Sequence, residues 1–248
     1  MPANLTAQYA ALAATGEIEL DRAQEALLDR LAVLDQRLAQ HRLARKSSSL
    51  GWLFGARERR AEPIRGLYIF GEVGRGKTML MDLFFAASPV VRKRRVHFHE
   101  FMGDVHERIG AFRRRQKNGL AADEDPIWLS AAAIAEESWL LCFDEFNVTD
   151  IADAMILGRL FKRLFELGVV VVATSNVAPG ELYKDGLNRS LFLPFIALIE
   201  RHMEVVELAA RTYFRLVMLA GQPVWHVPAD AAAGAALDQA WQRLTGGH

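Results

Sequence analysis

The chain has 248 residues, of which 30 are basic, 30 are acidic and 51% are hydrophobic, so the formal net charge at pH 7 is zero. This composition predicts a folded protein with a well-buried core, and its balanced charge argues against a general nucleic-acid coat protein. The single cysteine, Cys142, excludes an internal disulfide framework, and the sequence contains neither a membrane-spanning apolar run nor a leader peptide, so a cytoplasmic protein is expected.

The N-terminal part of the chain is predicted to be helical. Residues 17–46 repeat apolar positions such as Leu20 at helical spacing, which predicts an amphipathic helix of about seven turns. This helix either packs on the domain or binds a partner. Residues 45–65 change to a serine-, glycine- and arginine-rich composition that predicts a loop, in which the apolar Trp52-Leu53-Phe54 can anchor on the core, meet a partner or contact adenine.

From residue 66, short apolar runs alternate with helical segments, a pattern typical of a parallel sheet with helices on both faces. The predicted strands are 66–70, 95–99, 139–143, 169–173 and 203–208, and the predicted helices are 77–87, 100–117, 129–137, 150–167 and 191–201. Thr149 is expected to cap the fourth of these helices and Gly168 to end it. Two basic runs, 92–95 and 113–117, are expected on the surface, where they can also line a pore, meet an acidic partner or contact nucleic acid.

A glycine-rich segment follows the first of these strands. Gly71-Glu72-Val73-Gly74-Arg75-Gly76-Lys77-Thr78 matches the phosphate-binding pattern G-x-x-x-x-G-K-[ST] in full. Its glycines allow the backbone N–H groups to point inward as an anion site, and the positive end of the following helix dipole adds to it. Lys77 is expected to reach the β- and γ-phosphates of a nucleotide, and the Thr78 hydroxyl to hold Mg²⁺.

An acidic pair supplies the second half of a nucleotide site. Four apolar residues precede Asp144 and Glu145, which predicts a buried parallel strand that delivers two carboxylates beside the phosphate loop. Asp144 is expected to bind Mg²⁺ through its water shell, and Glu145 to orient and deprotonate the attacking water. The pair therefore predicts hydrolysis of a triphosphate. The absence of an Asn-Lys-x-Asp motif argues for ATP rather than GTP.

Two further polar residues are candidates for the same site. The apolar run 169–173 leads to Asn176, whose amide can sense the γ-phosphate from the end of a neighbouring strand. Arg189 lies just before a predicted helix. It is either an arginine finger that reaches the γ-phosphate of a neighbouring subunit or a residue in an ordinary surface salt bridge.

Five segments together resemble the ZapE cell-division ATPases and their AFG-one-like relatives. They occur in the family's order over about residues 63–208: 70–84, 96–102, 141–155, 173–176 and 186–194. The resemblance implies an AAA+ fold, Mg²⁺-dependent ATP hydrolysis, a nucleotide-dependent homo-oligomer and, in bacteria, interaction with the division protein FtsZ and recruitment to the division site. Mitochondrial relatives are implicated in quality control of inner-membrane proteins. By matching position, the resemblance assigns the roles described above to Lys77, Thr78, Asp144, Glu145, Asn176 and Arg189, with Arg189 as the finger.

The resemblance also includes a histidine pair and departs from the family at the end of the chain. His97 and His99 are expected on one face of the second strand, where the lack of a third ligand argues against a metal and His99 is expected to contact Glu145 and switch it. Family members continue past residue 248, so 211–248 is expected to be a shortened C-terminal region that ends in an amphipathic helix over 229–244.

The sequence therefore predicts the α/β class, with an AAA+ type P-loop NTPase domain over 63–210 built on a five-stranded parallel sheet. A helical extension and a basic loop over 1–62 precede it. The predicted function is an ATPase that remodels a protein partner. The alternatives are a nucleic-acid-handling AAA+ protein, such as a helicase loader, and a nucleotide-gated interaction module that does not hydrolyse ATP.

Overall fold

The computed structural model describes residues 5–16, 18–51, 63–119, 124–209, 234–235 and 237–238, with side chains described up to residue 41 in the second range. The chain divides into two compact units, Met1–Ala209 and Ala210–His248, and nearly all described residues belong to the first. The predicted Trp52 loop and most of the predicted helix 229–244 lie outside the described residues. The predicted domain boundaries stay a prediction.

In the described part of the first unit, seven helices and five strands follow one another along the chain. The helices are α1 (Leu5–Ala14), α2 (Arg22–Gly51), α3 (Lys77–Ala87), α4 (Phe98–Lys117), α5 (Pro126–Glu137), α6 (Ile151–Glu166) and α7 (Leu193–His202). The strands are β1 (Gly66–Phe70), β2 (Lys93–His97), β3 (Leu140–Asp144), β4 (Val170–Ser175) and β5 (Met203–Glu207), and they form one parallel sheet in the order β2-β3-β4-β1-β5. The predicted α/β fold with a five-stranded parallel sheet is confirmed.

Helices cover both faces of this sheet. Along β3, Leu140 and Cys142 join the core beneath α1, α2 and α3, whereas Leu141 and Phe143 join the core beneath α4 to α7. Successive side chains of a strand point to opposite faces, so a strand that is buried on both faces has to be apolar throughout. The apolar runs of the sequence are therefore the central strands of a three-layer domain.

Helix α2 packs against the sheet of the domain. Its residues Leu27, Leu31 and Leu38 are buried in the same core as Ile69 of the sheet, which settles the packing of this segment. The helix begins at Arg22 rather than at residue 17, and Leu20, which precedes it, is exposed. Among the described helices, none combines the length and the apolar character needed to cross a membrane.

The predicted second strand is offset by two residues from the observed one. Strand β2 ends at His97, and α4 begins at Phe98, so His97 and His99 do not share a strand face and that prediction is wrong. The physical reason is the apolar spacing that starts at Phe98. Phe98, Phe101 and Val105 are all buried on one face of α4, and this face holds the segment in the helical conformation.

The start of α6 differs from the prediction, and its end agrees with the prediction. The helix begins at Ile151, and Asp150 rather than Thr149 caps it, because the Asp150 side chain accepts a hydrogen bond from the backbone N–H of Ala152 at 2.6 Å. Gly168 follows the end of the helix with φ of 81°, and its N–H donates to the carbonyl of Phe165. The glycine therefore ends α6 as predicted, since the left-handed conformation carries little cost for this residue.

The two basic runs have different environments. The residues of the first run are bonded within the domain: Arg92 donates to the carbonyl of Glu136, Lys93 to that of Ser88, Arg94 to Asp104 and Arg95 to Asp144. Arg92 is exposed and the other three are half-buried, so the run lies at the surface as expected, but its side chains also make contacts within the domain. In the second run, Arg113, Arg114 and Arg115 are exposed near the end of α4, as expected.

Cys142 is expected to report global unfolding. Burial in the centre of β3 raises the pKa of its thiol to about 12, so the thiolate fraction at pH 8 should be about a thousandfold below that of a free cysteine. We expect the native protein to react with a disulfide reagent such as DTNB at least about a thousandfold more slowly than the protein in denaturant. A native rate equal to that of a small free thiol would contradict the buried position, and a Cys142→Ser variant is the blank.

Candidate nucleotide-binding site

The phosphate loop, residues 71–78, connects β1 to α3. Gly74 and Gly76 both have φ of 80°, in the left-handed region that other residues rarely adopt. Between the two glycines and the first turn of α3, successive backbone N–H groups lie at the positive end of the helix dipole, which favours an anion. Val73, at the tip of the loop, is 82% exposed, so the outer half of the loop is open to a ligand. The predicted strand, turn and helix are all present.

Lys77 is the first residue of α3, and its side chain folds back onto the loop. Its ammonium group donates to the carbonyl oxygens of Gly71 and Glu72, both at 2.7 Å. Burial lowers the pKa of Lys77 below its ordinary value, and the neighbouring charge of Arg75 lowers it further. A phosphate oxygen can replace one of these carbonyls as the acceptor. Thr78 follows in the first turn and is exposed.

Arg75 belongs to the loop, but its side chain points away from the outer surface. Its Nε donates to the carbonyl of Ala209 at 2.9 Å, and its Nη2 donates to Asp21 Oδ2 at 2.7 Å. The guanidinium is therefore occupied by protein groups. Arg75 was predicted to bind the cofactor, and its backbone N–H is the group that remains available to a phosphate.

The acidic pair lies at the carboxyl end of β3. Asp144 is buried, with Arg95 Nε donating to its Oδ2 at 2.7 Å and the Thr174 hydroxyl 3.4 Å from its Oδ1. Arg95 also bridges to Asp82 on α3. Glu145 is the next residue and has φ of 54°, a conformation that turns the chain out of the strand. Its side chain is 73% exposed. The pair thus consists of one carboxylate that is held by hydrogen bonds and one that is mostly exposed.

An open cleft lies beside Glu145. The residues that line it come from the ends of β3 and β4 and from the start of α4: His99, Glu145, Phe146, Asn147, Thr149, Ser175, Asn176 and Val177. Glu145 and Asn176, which the sequence analysis assigned to the same reaction, therefore line the same cleft. They meet there because the parallel strands β3 and β4 are neighbours and end at the same edge of the sheet.

A histidine contacts Glu145, but it is not the predicted one. His97 Nδ1, at the end of β2, lies 3.9 Å from Glu145 Oε2. His99 lines the cleft from the first turn of α4, with its ring centroid 5.9 Å from that of His97. His97 faces Glu145 because the register of the sheet pairs His97 with Asp144. From the sequence, the contact between His97 and Glu145 could be predicted only if the end of β2 had been placed correctly at His97.

Arg189 lies apart from this cleft. It begins a short turn, Arg189–Leu191, between β4 and α7, and its guanidinium donates to the carbonyl of Gly180. Its Nε is buried and, within the described residues, has no hydrogen-bond partner. Within a single chain, Arg189 therefore does not line the cleft that contains Glu145 and Asn176.

The oxygen donors of the site suit Mg²⁺ bound together with a nucleotide. In the described part of the chain, no group of three or more His, Cys, Asp or Glu side chains is arranged to hold a metal ion by itself. Mg²⁺ usually takes one or two protein oxygens and completes its shell with water and substrate phosphates. The Thr78 hydroxyl and the Asp144 carboxylate are donors of that kind. Asp144 ends β3, and Thr78 lies in the first turn of α3, which the phosphate loop connects to β1.

These features define a P-loop nucleotide-binding protein with an acidic strand end of the hydrolytic type. The chain belongs to the AFG1-like ATPase family, whose model matches residues 3–248. The predicted family resemblance is therefore confirmed.

Two relatives and one solved structure show the extent of the similarity. The chain is 41% identical to the cell division protein ZapE of Escherichia coli (strain K12) over 248 residues, which cover 98% of this chain and 64% of ZapE. It is 53% identical to lactation elevated protein 1 homolog B of Danio rerio over 156 residues, 62% of this chain and 31% of that protein. The crystal structure of DnaI superposes with a TM-score of 0.46 at 15% identity, covering 77% of this chain and 88% of DnaI. The chain thus spans slightly less than two thirds of the length of ZapE.

Proposed function

We propose that this protein hydrolyses ATP in the presence of Mg²⁺ and uses the reaction to remodel or regulate a protein partner. The observation that carries the proposal is the common edge at which β1, β4 and β3 end. There the phosphate loop follows β1, Asn176 follows β4, and the pair Asp144-Glu145 lies at the end of β3; these three strands are adjacent in the sheet. Parallel α/β sheets bind their ligands at this edge.

The phosphate loop and Asp144 are proposed to bind and orient the nucleotide. The backbone N–H groups of Gly74 to Thr78 and the Lys77 ammonium contact the phosphates, and the Thr78 hydroxyl and Asp144 hold the cation, Asp144 through water. Bound Mg²⁺ neutralises charge on the β- and γ-phosphates. Arg95 already fixes the Asp144 carboxylate, so little reorganisation of this group is required when the nucleotide binds.

Glu145 and Asn176 are proposed to act on the attacking water. The exposed Glu145 carboxylate accepts a proton from the water as its oxygen bonds to the γ-phosphorus, and the bond from that phosphorus to the bridging oxygen of ADP breaks. The Asn176 amide donates a hydrogen bond to a γ-phosphate oxygen. The products are ADP and inorganic phosphate. Because both side chains line one open cleft, water has access to the position where it is needed.

The complete site is proposed to need a second copy of the chain. Arg189 lies outside the cleft of its own chain, and the leucines next to it are exposed: Leu187, Leu191 and Leu193. An exposed apolar patch beside a cation is typical of a contact surface. In a homo-oligomer, Arg189 would enter the neighbouring site as an arginine finger.

A cell-division protein is the partner class that we propose, with FtsZ as the candidate and the division site as the place of action. The support is the family match and the identity with ZapE, a protein named for cell division. A nucleic-acid partner would have to use the second basic run, whose Arg113, Arg114 and Arg115 are exposed, because the residues of the run 92–95 bond within the domain. The cytoplasmic location stays a prediction.

Phosphate release measured against protein concentration tests the proposed function. We expect release to require Mg²⁺, to stop with EDTA, and to rise more than linearly with concentration as the subunits assemble. FtsZ polymer should stimulate it, whereas duplex DNA should not. ATP binding without phosphate release at any concentration would instead indicate a nucleotide-gated module, and stimulation by DNA alone would favour the nucleic-acid-handling alternative.

A further inference from the structure

A closed ring of side chains joins the N-terminal helices to the phosphate loop. The Tyr9 hydroxyl donates to Gln24 Oε1 at 2.8 Å and accepts from the backbone N–H of Asp21 at 3.1 Å. Gln24 Nε2 donates to the backbone carbonyl of Arg75 at 2.8 Å, and Arg75 Nη2 donates to Asp21 Oδ2 at 2.7 Å. We call these four residues the Tyr9 ring. It links α1 and the start of α2 to the centre of the phosphate-binding sequence.

The Tyr9 ring is buried and charged. Tyr9 is 1% exposed, and Asp21 and Arg75 are each 8% exposed, so solvent screens their ion pair weakly. Burial raises the pKa of Asp21, but the hydrogen bond from Arg75 and the backbone N–H of Ala23 lower it by more, which leaves the pKa below its ordinary value. Asp21 is therefore ionised at neutral pH, and its charge is paired with Arg75.

The N-terminal helices bind Arg75 at two points, in addition to its contact with the Ala209 carbonyl, and the flanking glycines constrain this residue little. It lies between Gly74 and Gly76, both left-handed, and an added Cβ on Gly74 would meet no atom within 4 Å. Glycine restricts the backbone less than any other residue. Asp21 binds the Arg75 side chain, and Gln24 binds its carbonyl and packs on Gly76, where an added Cβ would lie 2.7 Å from Gln24 Nε2. The N-terminal helices thus fix the backbone whose N–H groups face the phosphates.

We propose that Tyr9, Asp21 and Gln24 are positioning residues for the phosphate loop, through which the N-terminal helix pair sets the affinity of the site for a triphosphate. None of the three belongs to the phosphate loop itself. The proposal rests on the proposed function, because it requires that the loop bind ATP. It predicts that movement of α1 or of the start of α2 changes nucleotide affinity without any change in the groups that carry out hydrolysis.

The Asp21→Asn variant separates this role from helix capping. Asp21 Oδ1 accepts from the N–H of Ala23 at 2.8 Å, and asparagine caps helices about as well as aspartate, so D21N keeps the cap and loses the charge that pairs with Arg75. Arg30→Ala is the matched control. Arg30 also joins α2 to the sheet by an ion pair, with Glu204 on β5, but its partner lies on the edge strand and not on the phosphate loop.

Binding of ATP to the full chain, measured by titration calorimetry with Mg²⁺, tests the proposal. We expect D21N and Q24A to raise the Kd about tenfold, as the loss of one charged or buried hydrogen bond implies, and R30A to leave it within about twofold of wild type. In turnover assays, KM should rise for both ring variants while kcat at saturating ATP stays within about threefold. An R75Q/D21N double variant should bind no more weakly than R75Q alone, because the two residues act as one unit.

Three outcomes would contradict the proposal. Unchanged Kd in D21N and Q24A, with a lower melting temperature, would leave the ring a purely structural role. Equal loss of affinity in R30A would make the effect one of general α2 packing. If the wild-type protein does not bind ATP, the proposed function is wrong. That result differs from a wild type that binds ATP and variants that bind it equally well, which would contradict only the proposed positioning role. If D21N does not fold, Tyr9→Phe can replace it. This variant removes only the Tyr9 hydroxyl from the four-residue network, and its Kd for ATP is compared with that of R30A in the same way.

Discussion

Replacement of Glu145 by glutamine is expected to lower ATP turnover by about 10² to 10⁴-fold, the range of general base catalysis, while ATP binding is retained. Glutamine has nearly the shape of glutamate, and the Glu145 side chain is mostly exposed, so the change removes the proton acceptor with little loss of packing. Lys77→Ala should differ, because it removes the loop-bound ammonium that we propose contacts the phosphates, and it should abolish tight ATP binding. Fluorescent-nucleotide binding and phosphate release, measured on the same preparations, distinguish the two variants.

Glu107→Gln provides the control for the Glu145 variant. Glu107 is an exposed carboxylate on α4 that does not line the cleft, so the same loss of charge should leave turnover unchanged. If E145Q and wild type release phosphate at equal rates, Glu145 is not the base. The open cleft would then have to supply another acceptor for the proton.

Replacement of Arg189 by alanine is expected to reduce turnover by about a thousandfold or more in assembled protein, the lower end of the range for arginine fingers. Affinity for ATP should change little, since Arg189 lies outside the cleft of its own chain. A mixture of R189A and E145Q should regain part of the activity. In mixed oligomers, some sites would combine Glu145 of an R189A subunit with Arg189 of an E145Q neighbour.

Arg201→Ala is the matched control, because Arg201 is an exposed arginine on α7, the helix that follows the Arg189 turn. Its turnover should equal that of wild type at every protein concentration. Absence of rescue in the R189A and E145Q mixture, measured where each variant alone still assembles, would place Arg189 in its own subunit's site or outside the reaction.

The parts of the site that lie close together in sequence were predictable. Gly71 to Thr78 combines a strand end, a turn and a helix start in eight consecutive residues, and each has a local signal. Asp144 and Glu145 likewise follow an apolar run whose length suits a buried strand. Their meeting at one edge of the sheet then follows from parallel topology, because the carboxyl ends of parallel strands lie side by side.

The contacts that cross the fold were not predictable. Arg95 reaches Asp144 from a neighbouring strand, and the Tyr9 ring joins Gln24 to Arg75, which are 51 residues apart. No periodicity or spacing marks such pairs. The boundary of β2 was missed for a different reason, because the apolar face that begins at Phe98 belongs to α4 and not to the strand.

Helix α1 did carry a local signal that the sequence analysis did not use. Its ten residues, Leu5–Ala14, contain five alanines and two leucines, the residues with the highest helix propensity. The segment lacks charged residues in both its first and last turns, so the usual markers of helix ends are absent. Propensity alone would have identified it.

The position of β2 in the sheet has a consequence for the protein's behaviour in solution. Among the described strands, β2 is the outermost one of the sheet, and the outer side of such a strand can pair with a strand from another molecule. Three consecutive basic residues, Lys93, Arg94 and Arg95, occupy this strand, and a second chain that approached in the same way would meet like charge. We expect the basic residues of β2 to disfavour strand-to-strand aggregation. Neutralisation of Arg95 would also remove the hydrogen bond that holds Asp144, so only Lys93 and Arg94 separate solubility from nucleotide chemistry.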